Sequence, residues 1–409
     1  MKKHFILGLL IGLFACQNET EYSNTEELVF KEIPTPVIEG GAPNLFVSGN
    51  EQIMLSWVEY LNDTTDALLF SKLEKGKWSE PNEIANGSDW FVNWADFPSL
   101  ATFYRKPDNV AAHWLQKSAN GTYDYDVRIA LSGDGGQHWV PSFIPHRDGA
   151  AAEHGFVTMF PLQNGRMFAV WLDGRNTKGS EGHNDSHAHS GAMTLRTAEF
   201  DEAGNLSEEA ELDARVCDCC QTDAVLTDSG PVVVYRDRSD EEIRDIAIVR
   251  KVNGQWSAPK RVHEDNWEIS GCPVNGPGIA AQGNNIAIAW FSAPENKGQV
   301  NVIFSKDAGK TFTDPIRIDD GDPIGRVDVV FAKPEMALVS WIEQVEKGGE
   351  IRLAKVSAEG KIGESIIATQ TGISRQSGFP ILEKLEQDFL LAWTMVDSIT
   401  TVKTVSFKL

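Results

Sequence analysis

The sequence has little positive charge and hardly any long apolar run. Its 37 lysines and arginines are outnumbered by 59 aspartates and glutamates, which leaves a net charge of −22. A chain with this charge repels nucleic acid and anionic membrane surfaces, so neither is expected as a partner. After residue 14 no stretch approaches the roughly 20 apolar residues of a membrane-spanning helix. Because the chain is acidic, a small anionic ligand would need a local cluster of arginines. We also expect a monomer that does not cross a membrane.

The one apolar run, from Phe5 to Phe14, follows two lysines at the amino terminus. It is too short to span a bilayer and is typical of a signal peptide. It ends in Leu13-Phe14-Ala15-Cys16, which resembles the bacterial lipobox; a plain secretory signal is the alternative. The resemblance implies a signal peptide over residues 1–15, lipidation of Cys16, and a polar tether over residues 16–25. The protein is then expected in the cell envelope, anchored to the outer membrane on its periplasmic or exposed face.

A short strand that ends in an aromatic residue recurs seven times along the chain. Each copy is preceded by a short apolar strand and followed by a third strand, and the aromatic residues are spaced by 51 to 64 residues. A repeat of this length with little helical periodicity is typical of the blades of a β-propeller. The seven aromatic anchors are Trp57, Trp114, Trp171, Tyr235, Trp290, Trp341 and Trp393.

The repeats predict an all-β fold, a single seven-bladed β-propeller over residues 26–409, with six blades as the alternative. The last repeat has room for only three strands. The early segment Glu27–Lys31 is predicted to supply the fourth strand, because pairing the two ends of the chain closes the ring and covers two sheet edges.

Two turns, Ser132–Trp139 and Ser305–Phe312, resemble the Asp-box of the sialidase/BNR-repeat superfamily. The resemblance implies a sialidase-like propeller that binds or processes a glycan-type ligand. Sialidases use three arginines, an Asp acid/base and a Tyr nucleophile paired with a Glu. This chain has Glu32-Ile33-Pro34 in place of the family's Arg-Ile-Pro, and its last tyrosine is Tyr235. Glycoside hydrolase activity therefore stays open.

Four cysteines stand at equivalent places in two neighbouring repeats. The motif Cys217-Asp218-Cys219-Cys220 precedes the first strand of the fourth repeat, and Cys272 precedes that of the fifth. Since blade entrances line one mouth of a propeller channel, these thiols are expected within reach of one another. Three interpretations stay open: two disulfides, a copper(I) or zinc thiolate site, or a reactive thiol.

Polar residues at the same place in other repeats predict a ligand site at this mouth. Asp96 is the candidate acid, and Glu153 or His154 the candidate base. Arg326 and Arg375 are candidates to clamp a carboxylate or sulfate. The remaining candidate ligand-binding residues are Asn275, Gln221 and Asp328.

Two further segments are rich in polar side chains. Glu181–His189 carries three histidines and is interpreted as an exposed loop, with an auxiliary metal-binding lid as the alternative. The charged stretch Tyr235–Asp245 is interpreted as a hairpin tip with solvated salt bridges, with a binding role as the alternative.

Overall fold

Each aromatic anchor lies on the second strand of its own antiparallel sheet. The computed structural model describes residues 28–177 and 191–409, and in it seven sheets form seven blades. The predicted all-β, seven-bladed β-propeller is therefore confirmed. The predicted signal peptide, Cys16, the tether and the histidine-bearing segment Glu181–His189 lie outside the described residues. Within the described ranges, no helix is long and apolar enough to cross a membrane.

The first half of the chain contains three blades and one strand that belongs to the closing blade. This strand is β1 (Lys31–Glu32). Blade 1 contains β2 (Gly40–Val47), β3 (Ile53–Asn62), β4 (Thr65–Glu74), β5 (Lys77–Trp78) and β6 (Asn82–Gly87). Blade 2 contains β7 (Ser99–Phe103), β8 (Lys106–Lys117) and β9 (Tyr125–Ser132). Blade 3 contains β10 (His154–Pro161), β11 (Met167–Asp173), β12 (Met193–Phe200) and β13 (Leu206–Val216).

The second half contains four blades and two short 3-10 turns, Pro294–Asn296 and Arg375–Ser377. Blade 4 contains β14 (Asp223–Thr227), β15 (Gly230–Arg236), β16 (Ile246–Val252), β17 (Gln255–Trp256) and β18 (Lys260–Arg261). Blade 5 contains β19 (Gly278–Gln282), β20 (Asn285–Ser292), β21 (Gln299–Ser305) and β22 (Ile316–Arg317). Blade 6 contains β23 (Pro323–Lys333), β24 (Met336–Val345), β25 (Gly348–Ser357) and β26 (Gly360–Thr371). Blade 7 contains β27 (Ile381–Leu385), β28 (Asp388–Val396) and β29 (Thr400–Lys408), together with β1.

Burial explains why the second strands are the most apolar. All seven residues of β11 are buried, because a central strand is covered on both faces by the adjacent blades. The outer strand β13, with the sequence LSEEAELDARV, leaves four of its eleven residues exposed. The core therefore consists of apolar layers between blades, and the seven aromatic anchors are all buried within these layers.

The ring is closed by pairing the two ends of the chain. Strand β1 lies antiparallel to β29, with Lys31 opposite Ser406. The side chain of Ile33 is only 4% exposed, and its main chain exchanges hydrogen bonds with Thr404. The predicted closure is thus present, although the pairing lies at Lys31–Glu32, the carboxyl end of the expected segment and one residue beyond it.

The glycine turn of blade 5 is held by one carboxylate. Asp307 accepts hydrogen bonds from Ser305 Oγ at 2.8 Å and from the Thr311 amide at 2.8 Å. Gly309 has a φ of +82°, and a Cβ there would lie 2.5 Å from Ile248 Cδ1. The turn therefore packs against blade 4 and requires glycine for both conformation and space. The corresponding turn of blade 2 has the same Ser–Asp hydrogen bond at 2.8 Å.

The closure predicts a stability difference between two substitutions near the amino terminus. Ile33→Ala is expected to lower the free energy of unfolding by about 2–5 kcal/mol, since it leaves a cavity between the outermost strands of the closing blade and blade 1. Val29→Ala, at an exposed position, is the control and should change it by less than about 0.5 kcal/mol. Urea denaturation of the two variants measures this, and equal losses would contradict the role of Ile33.

Candidate functional site

The blade entrances meet around one central opening, as the repeats predict. Residues from all seven blades line a cavity of about 320 Å³ along the channel. One lining residue from each blade, in chain order, is Leu45, Asp96, Thr158, Gln221, Gly276, Asp328 and Glu383. Since Gln221 directly follows Cys220 and Gly276 follows Cys272 by four residues, the cysteines lie beside the rim of this opening.

The four cysteines form one cluster of free thiols. Cys217 Sγ lies 4.0 Å from Cys219 Sγ and 3.5 Å from Cys220 Sγ. The sulfur atoms of Cys217, Cys219 and Cys220 all lie within 4.8 Å of one another, and Cys272, on the fifth blade, interacts with Cys219 at the edge of this group of three. These separations are well above the roughly 2.05 Å of a disulfide. In the described part of the chain the cysteines are thus brought together as expected but are unbridged.

The main chain fixes the start of the cysteine loop. Residues 217–222 connect the outer strand β13 of blade 3 to the inner strand β14 of blade 4. The amide of Cys217 donates to the carbonyl of Arg236 on β15 at 3.0 Å. Cys272 lies in the connection between β18 and β19, in the equivalent position one blade further. The proximity of the thiols is therefore a consequence of the ring and not of the local motif alone.

A buried arginine contacts the thiol cluster. Arg244 is 3% exposed, and its Nη1 donates to Cys217 Sγ at 3.2 Å while its Nη2 donates to Glu242 at 2.7 Å. Burial alone would raise the pKa of Cys217. Hydrogen bonds from Cys219 and Cys220, together with the charge of Arg244, lower it well below its ordinary value. The cluster is thus arranged to hold at least one thiolate.

The stretch Tyr235–Asp245 connects the antiparallel strands β15 and β16, as expected of a hairpin, but the interpretation of solvated salt bridges is wrong for two of its arginines. Arg236 and Arg244 are both buried, and Arg236 donates to the carbonyls of Asn275 and Phe291 at 2.7 Å. Only Arg238 keeps a partly exposed position, where it pairs with Asp218 at 3.0 Å and with Glu242. One signal in the sequence pointed to this: Arg236 directly follows the buried anchor Tyr235.

Two of the three predicted catalytic residues meet around a tyrosine that the sequence did not single out. Tyr125 donates to Glu153 at 2.8 Å and lies 3.4 Å from Asp96 Oδ2. Burial, together with the charge of Asp218, raises the pKa of Glu153 to about 7, although the hydrogen bond from Tyr125 opposes the rise. Burial also raises the pKa of Asp96 well above its ordinary value. Glu153 is half-buried and can exchange a proton near neutral pH.

His154 points away from this pair. Neighbouring residues at a strand start project to opposite faces, so His154 lies beside His146 and Asp148 and not beside Asp96. The expected trio of Asp96, Glu153 and His154 is therefore corrected to a pair, with Tyr125 as its common partner.

Most of the predicted ligand-binding residues brace neighbouring blades. Gln221 donates to Ala95 O at 2.5 Å and accepts from the amide of Gly276 at 3.1 Å. Asn275 accepts from the amide of Arg326 at 2.7 Å.

Arg326 and Asp328 have the same structural role. Arg326 is 4% exposed and donates to Gly378 O and Ser374 O at 2.9 and 3.0 Å. Asp328 accepts from the amide of Leu382 at 2.7 Å. The expectation that Arg326 clamps an anion is corrected, because carbonyl groups occupy its donors; Arg375 is exposed in its 3-10 turn.

Four carboxyl groups line the central cavity, and three of them, besides Asp96, come from blades 4, 6 and 7. Desolvation raises the pKa of Asp223 and of Asp328 to about 7 each, against the hydrogen bonds that both accept from main-chain amides. Desolvation and the charge of Asp328 raise the pKa of Glu383 to about 8. The channel wall is thus partly protonated at neutral pH.

Comparison with known proteins supports the fold. No family model and no curated protein matches the chain. A protein of unknown function from Dyadobacter fermentans is similar, with a TM-score of 0.51 at 14% identity over 94% of this chain and 100% of the other. The NanB sialidase from Streptococcus pneumoniae has a TM-score of 0.47 at 9% identity, over 88% of this chain and 83% of the other. An α-L-arabinanase from Penicillium chrysogenum has a TM-score of 0.46 at 12% identity, over 93% of this chain and 97% of the other. At these identities the likeness is one of fold.

The channel carboxyls predict a pH dependence of stability. They keep their protons to about pH 7–8 in the folded chain, whereas they titrate near pH 4 when unfolded. The folded chain binds more protons between these values, so the free energy of unfolding should fall as the pH rises from about 5 to 8. Glu383→Gln should flatten this decline, and the exposed control Glu386→Gln should not. Urea melts at several pH values measure it; an unchanged slope in Glu383→Gln would contradict the assignment.

Proposed function

We propose that the protein binds a soft metal ion, copper(I) or zinc, through Cys217, Cys219, Cys220 and Cys272. The sulfur separations carry the proposal. A tetrahedral zinc site with Zn–S bonds of about 2.3 Å places neighbouring sulfur atoms about 3.8 Å apart. The separations of 4.0 and 3.5 Å around Cys217 bracket that value. Thiolate ligands select these soft ions over the hard cations magnesium and calcium.

The charges around the cluster support thiolate ligation. Up to four thiolates are strongly anionic, and the guanidinium groups of Arg244 and Arg238 lie against the motif through Cys217 and Asp218. Since metal ions bind the deprotonated thiol, the lowered pKa of Cys217 reduces the competition from protons at neutral pH. The pKa of Cys219 is raised by its thiol neighbours and that of Cys220 by burial, so a metal ion has to displace the protons of these two thiols. Cys272 is the exposed member of the set, so we assign it as the ligand on the solvent side.

The location of this activity is proposed from the amino terminus. The lipobox-like Cys16 favours a lipid-anchored protein of the cell envelope, with the propeller held outside the lipid by the tether. Soft-metal binding would then take place in the envelope and not in the cytoplasm.

Elemental analysis of protein purified under reducing conditions tests the thiolate site. The wild type should hold one copper(I) or zinc ion per chain at this site. Cys220→Ser should lose it, because a buried ligand cannot be replaced by water. Cys272→Ser should weaken binding by about tenfold or more without abolishing it, since its position is open to solvent.

Thiol counting on the same samples completes the test. All four thiols should react with a thiol reagent after metal removal and unfolding. Protein that holds no copper or zinc and has fully oxidised cysteines would contradict the proposal, as would a Cys220→Ser variant that binds as much metal as the wild type.

A glycan-type ligand at the same mouth is the second candidate function. The observation that favours it is Glu153, a half-buried carboxyl whose pKa of about 7 suits proton exchange. Trp94 lies partly exposed at the rim, where its ring stacks on Phe379 at 5.9 Å. Aromatic faces with a few placed polar groups are typical of small-ligand sites. We propose that Arg375, which is exposed, contacts an anionic group of such a ligand.

Calorimetric titration with a sialylated and a sulfated oligosaccharide tests the second candidate. Trp94→Ala and Glu153→Gln should each weaken binding about tenfold or more, which corresponds to about 1.4 kcal/mol. Trp139→Ala is the matched control, because the turn after β9 lies at the opposite end of its blade from the inner-strand entrance. No heat of binding to either probe, or an equal loss in Trp139→Ala, would contradict this function.

A further inference from the structure

We propose a second metal site, separate from the thiolates, in which His154, Asp148 and Asp173 hold a divalent first-row ion such as Mn²⁺ or Zn²⁺. Asp148 lies in the connection between β9 and β10, His154 begins β10, and Asp173 ends β11. The potential ligand atoms of these three residues lie within 4.8 Å of one another. The site would join the long connection after blade 2 to the first two strands of blade 3.

The position of one proton on His154 follows from its neighbours. Its Nδ1 lies 3.1 Å from Ala152 O and 3.3 Å from Tyr125 O. Carbonyl oxygens only accept hydrogen bonds, so Nδ1 must carry a hydrogen. In the neutral ring Nε2 therefore presents a lone pair. A histidine that donates its other ring N–H to a carbonyl is the usual arrangement of a metal ligand.

The lone pair of His154 faces two carboxylates. Nε2 lies 3.2 Å from Asp148 Oδ2 and 3.7 Å from Asp173 Oδ1. The side chains of His154 and Asp173 are fully buried, and that of Asp148 is 9% exposed. Among the described residues, His154 Nε2 and Asp148 Oδ2 are buried and make no hydrogen bond, although Arg175 forms an ion pair with Asp148. Three acceptors that converge in a buried place favour a cation close to all three.

Arg175 supplies part of the positive charge but does not fill this position. Its Nη2 lies 3.0 Å from Asp148 Oδ2 and 2.7 Å from Asp173 Oδ2. One guanidinium thus faces two carboxylates, and neither of these contacts reaches His154. Asp126, at 3.9 Å from His154 Nδ1, adds a third carboxylate on the other side of the ring. Arg196 Nε also lies 4.0 Å from Asp173 Oδ1, so two guanidinium groups and three carboxylates surround the histidine.

The distances suit a small divalent ion. Metal bonds to imidazole nitrogen and carboxylate oxygen of about 2.0–2.2 Å place neighbouring tetrahedral ligands about 3.4 Å apart. The separations of 3.2 and 3.7 Å bracket this value. One imidazole with two carboxylates favours Zn²⁺ or Mn²⁺ over copper(I), so the site differs in selectivity from the thiolates.

His146 lies against His154 and close to Asp148. Its ring is parallel to that of His154 with centroids 3.6 Å apart. Its Nε2 accepts from the amide of Val127 at 3.2 Å, so in the neutral ring Nδ1 carries the hydrogen and faces Asp148 Oδ2 at 3.4 Å. In this tautomer His146 directs a hydrogen, and not a lone pair, towards Asp148, so we do not assign it as a ligand of this site.

A small cavity lies beside the cluster. Its volume is about 100 Å³, and His146, Trp171 and three arginines, Arg147, Arg175 and Arg196, are among its lining residues. Trp171 donates to Asp173 at 2.9 Å and keeps that carboxylate oriented.

Manganese binding followed by electron paramagnetic resonance tests the site, because thiolates bind Mn²⁺ weakly. The wild type should bind one Mn²⁺ per chain, and Cys220→Ser should bind the same amount. His154→Gln and Asp148→Asn should bind none. Thermal unfolding shows whether each variant is folded; Asp148 lies in a connection, so Asp148→Asn carries the test if His154→Gln does not fold.

Zinc analysis separates this site from the thiolate site. The wild type should bind two Zn²⁺ per chain, and Cys220→Ser and Asp148→Asn should each bind one. A wild type without bound Mn²⁺ whose single Zn²⁺ is lost in Cys220→Ser overturns this site and leaves the thiolate site standing. Equal Mn²⁺ binding in wild type and Asp148→Asn also overturns it. If His154 carries a second proton in place of the ion, the wild type binds no Mn²⁺, and this result also overturns the site.

Discussion

Main-chain groups at the entrances of the inner strands are satisfied by side chains from other blades, and the candidate sites depend on this bracing. Arg236 binds the carbonyls of Asn275, Arg244 and Phe291, and Arg326 binds those of Gly378 and Ser374. Buried cations are tolerated here because every brace ends on a hydrogen-bond acceptor. The same braces fix the starts of blades 4 and 5, so the thiols that precede those starts are held together.

The fold could be predicted because the repeat acts through burial. Each anchor, such as Trp57 or Trp341, must be covered by two blades, and this requirement leaves a periodic trace in the sequence. The proximity of Cys272 to Cys217–Cys220 followed from the ring geometry. The side-chain directions at the mouth could not be predicted from this geometry. A polar residue at an entrance looks the same in the sequence whether it faces a ligand, as predicted for Arg326, or a main-chain carbonyl. Tyr125 gave no signal, since it reads as the first residue of an ordinary third strand.

Two adjacent residues connect the mouth of the propeller to the proposed second metal site. Glu153 contacts Tyr125, which also lies 3.4 Å from the channel-lining Asp96, whereas His154 faces Asp148 in the connection between blades 2 and 3. A strand start can serve two environments because successive side chains alternate in direction. The carbonyl of Tyr125 contacts His154 while its hydroxyl contacts Glu153, so the position of this one tyrosine influences both places.

The closing of the ring also bears on the order of folding. Lys31 meets Ser406, a separation of 406 − 31 = 375 residues, whereas Cys220 and Cys272 are separated by 272 − 220 = 52. The longer loop carries roughly 1.8 kcal/mol more closure entropy, so neighbouring blades should associate before the ends of the chain pair. An open chain of blades, with the thiols of blades 4 and 5 already juxtaposed, is then the natural intermediate, and a metal ion available at that moment would be bound before the circle is complete.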